Sequence, residues 1–193
     1  MADGEMGTAD ILKPSGLRRL ADALTLLRAL LGLPLLLALA AGREPLAWFL
    51  LLLGGLSDAA DGALARRAGG GTVWGARLDP LTDKILVSAP LIALVADGRL
   101  PAWAVWLLLA RDLLISAWRT GQSTGAPASA SGKAKTMVQF LALLLLLWPA
   151  SWGPPGWVAA LRDLGWWLFW PSLLLALSSA GAYLINPSAP DRR

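Results

Sequence analysis

The sequence predicts an all-α integral membrane protein with six transmembrane helices and with both termini in the cytoplasm. Two observations support this fold class. First, 56% of the 193 residues are apolar and only 16% are charged, whereas soluble domains average about 45–50% and about 25%. Second, six apolar stretches approach or reach the roughly 20 residues that a helix needs to cross a bilayer. An ordinary soluble domain is therefore excluded.

The six stretches are separated by Gly, Pro and charged residues of the kind that form turns. Lipid offers no partner to a backbone N–H or C=O group, so each stretch is predicted to be helical. The predicted spans are 24–41, 46–66, 78–96, 101–119, 134–151 and 165–185. The predicted organisation is a cytoplasmic segment 1–19, a six-helix domain 20–186 and a C-terminal tail 187–193.

The first span has one competing interpretation, a cleaved signal peptide. Residues 38–40 (Ala-Leu-Ala) have the small-residue pattern of a cleavage site. Asp22 and Arg28 interrupt the apolar region that such a signal needs, and the chain starts with acidic rather than basic residues. We therefore predict a retained span.

The placement of basic residues predicts the orientation. With the N-terminus inside, twelve Lys and Arg residues fall on the cytoplasmic side and three on the outer side, as the positive-inside rule requires. Nine of the eleven Trp residues fall near the predicted outer ends of spans, where interfacial anchors are expected. The basic character of the chain is thus explained by membrane topology, and no nucleic-acid partner is predicted.

The chain contains neither Cys nor His. This excludes thiolate and imidazole metal sites, Ser-His-Asp triads and cysteine nucleophiles. Carboxylates are then the expected acid–base and metal-binding groups.

Four aspartates break the apolar pattern of the second and third spans: Asp58, Asp61, Asp79 and Asp83. A carboxylate inside a span costs about 2.5–3.5 kcal/mol even on insertion scales. Asp58 and Asp61 share a helix face, and Asp79 and Asp83 share a face of the next helix. A loop of about a dozen residues would make these helices antiparallel neighbours. The four carboxylates can then face one another near the cytoplasmic end.

Four like charges repel, so the cluster needs protons, cationic partners or metal ions. An all-oxygen set suits Mg²⁺ or Mn²⁺, and two such ions would neutralise four carboxylates. Salt bridges to Arg66, Arg77 and Lys84, or a proton or ion pathway, are the alternatives. Gly62 and Ala65 leave room on the acidic face, and Arg66 supplies a guanidinium, so a phosphate-bearing ligand fits this pattern.

The pattern Asp58-x-x-Asp61-Gly62-x-x-Ala65-Arg66, eight residues, Gly75-x-x-x-Asp79-x-x-x-Asp83 resembles the signature of the CDP-alcohol phosphatidyltransferase family at every fixed position. The resemblance covers roughly residues 20–150, and the predicted number of spans agrees with it. It implies that an acceptor hydroxyl attacks the β-phosphorus of a CDP-linked lipid and that CMP leaves. It also implies a homodimer in a bacterial inner membrane, with the site facing the cytoplasm.

Segments 24–28, 78–84, 111–119 and 132–139 resemble those members of the family that join CDP-diacylglycerol and glycerol 3-phosphate. By this resemblance Asp58, Asp61 and Asp79 are metal ligands, and Asp83 is the general base and also a ligand. Two ions, Mg²⁺ or Mn²⁺, are implied. The residues expected to border the CDP-lipid are Thr25, Asp61, Gly62, Ala65, Arg66 and Gly75. For Gly75 a structural role, allowing the close turn into the third helix, is the favoured alternative.

Basic residues of the fourth and fifth spans are candidates for binding the phosphate of the acceptor: Arg111, Arg119, Lys133 and Lys135. Arg111 is the strongest, since a guanidinium inside a span requires an anion or a water-filled cleft. Its alternative role is an ion pair with Asp112 or with a site carboxylate. For the two lysines the alternative is attraction to anionic lipid headgroups.

Two other functions stay open at this stage. The same chemistry with another acceptor would make the protein a CMP-forming cardiolipin synthase or a phosphatidylinositol-phosphate synthase. A divalent-cation or proton transporter would use the acidic cluster as its pathway, but transporters tend to have midplane sites and internal repeats. The acids here lie toward one side, and the sequence contains no visible repeat.

Overall fold

The structure, a computed structural model, describes the backbone of residues 16–67, 73–120 and 130–185 and the side chains of residues 23–58, 60, 81–116 and 135–179. Six α-helices make up nearly all of the described backbone, and no strand occurs in it. The all-helical prediction is therefore confirmed. The helices are α1 (Gly16–Ala40), α2 (Glu44–Arg67), α3 (Val73–Ala96), α4 (Ala102–Thr120), α5 (Ala130–Leu146) and α6 (Pro155–Ile185), with one 3-10 turn at Ala150–Trp152.

Two predicted connections between helices, the one after α2 and the one before α6, were wrong. Five residues separate α2 from α3, fewer than the dozen expected, and Gly75 lies inside the first turn of α3 rather than before it. The last helix begins at Pro155, ten residues before the predicted span. Pro lacks an N–H and has a helical φ, so it suits the first position of a helix, and the double proline there starts α6 rather than extending a loop.

Glycine ends two of the helices. Gly42 and Gly98 have φ values of 67° and 69°, a left-handed conformation that costs glycine little. After α1, the N–H of Arg43 donates to the carbonyl of Ala38 at 2.8 Å, and after α3 the N–H of Arg99 donates to Leu94 at 2.9 Å. Both are Schellman-type ends, which turn the chain back toward the bundle.

The helices pack around a leucine-rich core. α1 packs along α2 and α3, α5 packs along α6, and α4 contacts α3 and α6. The fully buried side chains include Leu35, Leu51, Leu86, Leu108, Leu143 and Phe169. Gly165 of α6 lies directly against the backbone of α5, which explains the close approach of these two helices.

The α1–α2, α3–α4 and α5–α6 connections lie at one end of the bundle, which we call the capped end. Charged side chains link them there. Arg162 contacts Glu44 at 3.0 Å and donates to the carbonyl of Trp148 at 2.9 Å. Arg99 donates to the carbonyl of Leu146 at 2.6 Å. The two arginines thus satisfy carbonyls that the C-terminus of α5 leaves open. Burial lowers the pKa of Arg99, and the charge of Arg162 acts in the same direction.

Tryptophan rings cluster at this end. Trp48, Trp148, Trp152 and Phe49 stack edge to face, with ring centroids 5.0–5.7 Å apart. The ring N–H of Trp48 donates to the carbonyl of Leu144 at 2.9 Å. The connections that the sequence assigned to one side therefore do meet.

Among the described residues, one stretch is long and apolar enough to cross a membrane, Ala23–Ala40 of α1. Lys135–Leu146 of α5 is apolar but shorter. The bundle is thus an all-helical one that contains a span-length apolar helix.

Candidate active site

A cavity of about 330 Å³ lies among helices α2, α3, α4 and α5. Its charged lining groups come from all four helices: Asp58, Asp83, Lys84, Asp112 and Lys135. Its other lining residues are Gly55, Val87, Leu109, Thr136, Met137, Gln139 and Phe140. Asp58 lies about 20 Å along α2 from the capped end, at 1.5 Å per residue. The cavity is therefore at the other end of the bundle.

Helices α2 and α3 each bring a carboxylate of the predicted acidic cluster to this cavity, Asp58 and Asp83. The Asp58 carboxylate receives a 2.8 Å contact from Nη1 of Arg28, whose side chain is completely buried in α1. A buried guanidinium needs a nearby anion, so Arg28 ties α1 to the first aspartate of the motif. Thr25, one turn earlier on α1, is buried but does not line the cavity.

Helices α4 and α5 contribute a buried ion pair. Nζ of Lys135 lies 2.7 Å from Oδ1 and 2.6 Å from Oδ2 of Asp112. The side chain of Lys135 is 6% exposed and that of Asp112 is 11% exposed. Lys84 of α3 lies within electrostatic range of Asp112 and Asp83. The cavity thus combines carboxylates with two ammonium groups.

Arg111 makes the ion pair that the sequence left as its alternative role. Its Nη1 donates to Oδ1 of Asp112 at 2.9 Å. Its Nε donates to the carbonyl of Ala176 at 2.8 Å, and its Nη2 donates to Oγ of Ser179. Each of its three nitrogens is therefore engaged by protein, and Arg111 lies behind the lining residues rather than among them.

The remaining predicted site residues have side chains outside the described set: Asp61, Gly62, Ala65, Arg66, Gly75, Asp79, Arg119 and Lys133. Their backbone lies in helices: α2 for the first four, α3 for Gly75 and Asp79, α4 for Arg119 and α5 for Lys133. Their assignments stay predictions.

The described part of the site is compatible with a hard cation. Asp58 and Asp83 offer carboxylate oxygens to one cavity, and such oxygens are the ligands that Mg²⁺ and Mn²⁺ prefer. Among the described side chains, no group of three or more metal-binding residues occurs. Asp61 and Asp79 would have to complete the ligand set.

Sequence reasoning did not assign four of the polar lining residues to the site, namely Lys84, Asp112, Thr136 and Gln139. The sequence did mark Asp112 as unusual, because it lies inside a predicted span, and an ionisable residue inside an apolar helix indicates a function or a buried partner. Lys84 follows Asp83 directly, but its side chain could equally have faced lipid headgroups. No feature of the sequence alone places Gln139 in the cavity.

Known proteins resemble the chain over most of its length. A family model described as CDP-alcohol phosphatidyltransferase matches residues 18–178. A Mycobacterium tuberculosis (strain H37Rv) protein named probable phosphatidylglycerophosphate synthase is 37% identical over 155 residues, which cover 76% of this chain and 74% of that protein. An Escherichia coli K12 protein named CDP-diacylglycerol–glycerol-3-phosphate 3-phosphatidyltransferase is 35% identical over 141 residues, covering 68% of this chain and 76% of that protein.

Proposed function

The chain belongs to the CDP-alcohol phosphatidyltransferase family, and from this premise we propose that it transfers the phosphatidyl group of CDP-diacylglycerol to glycerol 3-phosphate. The products would be phosphatidylglycerol phosphate and CMP. Relatives named for this reaction support the choice of substrates. The groups that would carry out this reaction are the aspartates of the sequence motif and the charged residues that line the cavity.

The observation that carries the proposal is the charge pattern of the cavity. Asp58 and Asp83 are the groups that would hold cations, whereas Lys84 and Lys135 are the groups that would hold an anion. Lys135 and Arg111 share the single carboxylate of Asp112, which leaves positive charge on that side. A charged acceptor such as glycerol 3-phosphate balances this excess, and an uncharged alcohol does not.

The family generally depends on a divalent cation. We propose that Asp58, Asp61, Asp79 and Asp83 hold Mg²⁺ or Mn²⁺, with two ions as the expected number. A bound cation would neutralise the diphosphate of the CDP-lipid and stabilise the departing CMP.

The chain's own groups would do the remaining work. The acceptor hydroxyl gives its proton to Asp83 while its oxygen forms a bond to the β-phosphorus. The bond from that phosphorus to the oxygen of CMP breaks, and CMP leaves with the electron pair. Lys135 and Lys84 hold the acceptor phosphate so that the hydroxyl is in line with the bond that breaks. Arg66 would hold phosphate of the CDP-lipid, and Thr25, Gly62, Ala65 and Gly75 would border it.

We propose that all six helices cross the bilayer, with the cavity on the cytoplasmic side of a bacterial inner membrane. Large apolar side chains on the surface of α1, α2 and α4 support a lipid-facing exterior, for example Leu30 at 70% exposure and Trp106 at 67%. The positive-inside bias of the sequence supports the orientation. The homodimer and the absence of a nucleic-acid partner stay predictions.

The test is product identification. Purified protein in mixed micelles would receive CDP-diacylglycerol, Mg²⁺ or Mn²⁺, and in separate reactions glycerol 3-phosphate, phosphatidylglycerol or inositol phosphate. We expect CMP release and phosphatidylglycerol phosphate with glycerol 3-phosphate. A higher kcat/KM with phosphatidylglycerol or inositol phosphate would overturn the acceptor, and no CMP release with any of the three would overturn the proposed reaction.

A further inference from the structure

We infer that Asp112 is a positioning residue that fixes the ammonium group of Lys135 in the cavity, and that Arg111 and Ser179 fix Asp112 in turn. The inference rests on the proposed function, because it takes Lys135 as a group that binds the acceptor phosphate. It gives Arg111 an indirect role, through Asp112, in place of direct contact with substrate.

The first step concerns Lys135. Both carboxylate oxygens of Asp112 lie within 2.7 Å of its Nζ. A lysine carries its charge on a flexible four-carbon stem, so a lysine on α5 could place its ammonium at many points of a 330 Å³ cavity. Two short charge-assisted hydrogen bonds, which the ammonium donates to the carboxylate of Asp112, hold it at one of these points. The third N–H of the ammonium is then available to an incoming anion.

The second step concerns the carboxylate itself. Asp112 would be free to rotate if Lys135 were its only partner, but Nη1 of Arg111 holds Oδ1 at 2.9 Å. Arg111 has a planar guanidinium whose N–H groups point in fixed directions. Its Nε donates to the carbonyl of Ala176 at 2.8 Å and its Nη2 donates to Ser179. Helix α6 therefore fixes the plane of the Arg111 guanidinium. The guanidinium in turn fixes the orientation of the Asp112 carboxylate.

A simpler role for Asp112 would be to neutralise the charge of Lys135. The two roles predict opposite changes in how tightly the cavity binds the acceptor phosphate once Asp112 is replaced. If Asp112 only neutralises, its removal leaves a more positive cavity, which binds a phosphate more tightly. If Asp112 positions the ammonium, its removal lets Lys135 move away from the acceptor, and binding weakens.

The kinetic test measures CMP release by the full chain in mixed micelles, varying each substrate in turn. For Asp112→Asn we expect the KM for glycerol 3-phosphate to rise about tenfold, the scale of a charge-assisted hydrogen bond. The KM for CDP-diacylglycerol should change by less than about twofold. Asp112→Glu, which keeps the charge, should recover part of the loss. An unchanged or lower KM for glycerol 3-phosphate in Asp112→Asn would overturn the inference, as would an equal rise for both substrates.

Helix α6 offers a matched pair of serines. The Ser179 hydroxyl is buried and accepts from Arg111, whereas its neighbour Ser178 is exposed and donates only to the carbonyl of Leu175 at 3.2 Å. Ser179→Ala should raise the KM for glycerol 3-phosphate by about two- to fivefold, since one hydrogen bond from the Arg111 guanidinium is lost and Lys135 feels the change only through Asp112. Ser178→Ala should leave it unchanged. Equal values for the two variants would contradict the link through Arg111.

A second measurement does not depend on turnover. Limited acetylation at fixed pH, followed by peptide mass spectrometry, reports how readily the Lys135 amine reacts. We expect faster acetylation in Asp112→Asn than in wild type and no change in Asp163→Asn, whose carboxylate is exposed at the capped end. Equal acetylation of Lys135 in wild type and Asp112→Asn overturns the inference. If wild type releases no CMP, the proposed function fails, and this measurement still decides whether Asp112 holds Lys135.

Discussion

The contact between Gly165 and helix α5 predicts that a larger residue at position 165 lowers the stability of the folded protein. A Cβ added at this position would lie 2.7 Å from the backbone nitrogen of Leu146, 2.8 Å from the carbonyl oxygen of Ala142 and 2.9 Å from Cβ of Leu145. Ordinary contacts begin near 3.4 Å. Two of the three atoms are backbone, so they cannot rotate away. Gly165→Ala must therefore push α5 and α6 apart by roughly 0.7 Å, or distort one of them.

Overpacking of this kind typically costs about 1–3 kcal/mol. Two of the three contacts are with rigid backbone, so we expect a cost in the upper part of this range, about 2–3 kcal/mol. Alanine recovers up to about 1 kcal/mol through its higher helix propensity, so the expected net loss is about 1–2 kcal/mol. For a chain of this size, that loss corresponds to a decrease in Tm of about 2–8 °C.

The same helix provides the control. A Cβ at Gly156 would have nothing within 4 Å, so Gly156→Ala gains helix propensity without a steric cost. Thermal unfolding in one detergent, followed by circular dichroism, should give a lower Tm for Gly165→Ala and an equal or higher Tm for Gly156→Ala. If Gly165→Ala were as stable as Gly156→Ala, the close packing of α5 on α6 would be refuted.

Three further predictions concern the site and the capped end. Asp83→Asn should lower kcat for CMP release by at least about 100-fold, the scale of general-base catalysis, while the protein stays folded; activity near that of Asp163→Asn would refute the assignment of the base. EDTA should abolish CMP release and added Mg²⁺ or Mn²⁺ should restore it, since the carboxylates of Asp58 and Asp83 are oxygen ligands of the kind that these cations prefer. Turnover that resists the chelator would remove the metal from the mechanism. Arg162→Met should lower Tm by about 2–6 °C, because it removes the ion pair with Glu44 and leaves the carbonyl of Trp148 without its side-chain donor. An equal fall for the exposed Arg43→Met would contradict this.

The sequence predicted the helices well because their determinants are local. Apolar length, a left-handed glycine after α1 and α3, and Pro at the start of α6 are all visible in a few consecutive residues. The start of α6 at Pro155 was misplaced because the Pro-Gly cluster was treated as a loop, although its proline suits the first turn of a helix.

Within the site, the sequence was most informative where the motif fixes a spacing. Asp58 and Asp83 belong to different helices, and both line one cavity, whereas the side chains of Asp61 and Asp79 lie outside the described set. The partners of Arg111 could not be predicted in the same way. Ala176 and Ser179 lie 65 and 68 residues away along the chain, and only the packing of α4 against α6 brings them together.

These contacts also explain how an arginine is tolerated within a largely apolar helix. Arg111 donates to one carboxylate, one helix carbonyl and one hydroxyl, so each of its three nitrogens has a hydrogen-bond acceptor in the interior. The contacts of Asp112 with Lys135 and of Arg111 with Ser179 connect α4 to α5 and to α6, while Gly165 brings α5 and α6 into direct contact. Helices α4, α5 and α6 therefore each contact the other two. On the positioning role inferred for Asp112, the place of the Lys135 ammonium in the cavity depends on how α6 packs.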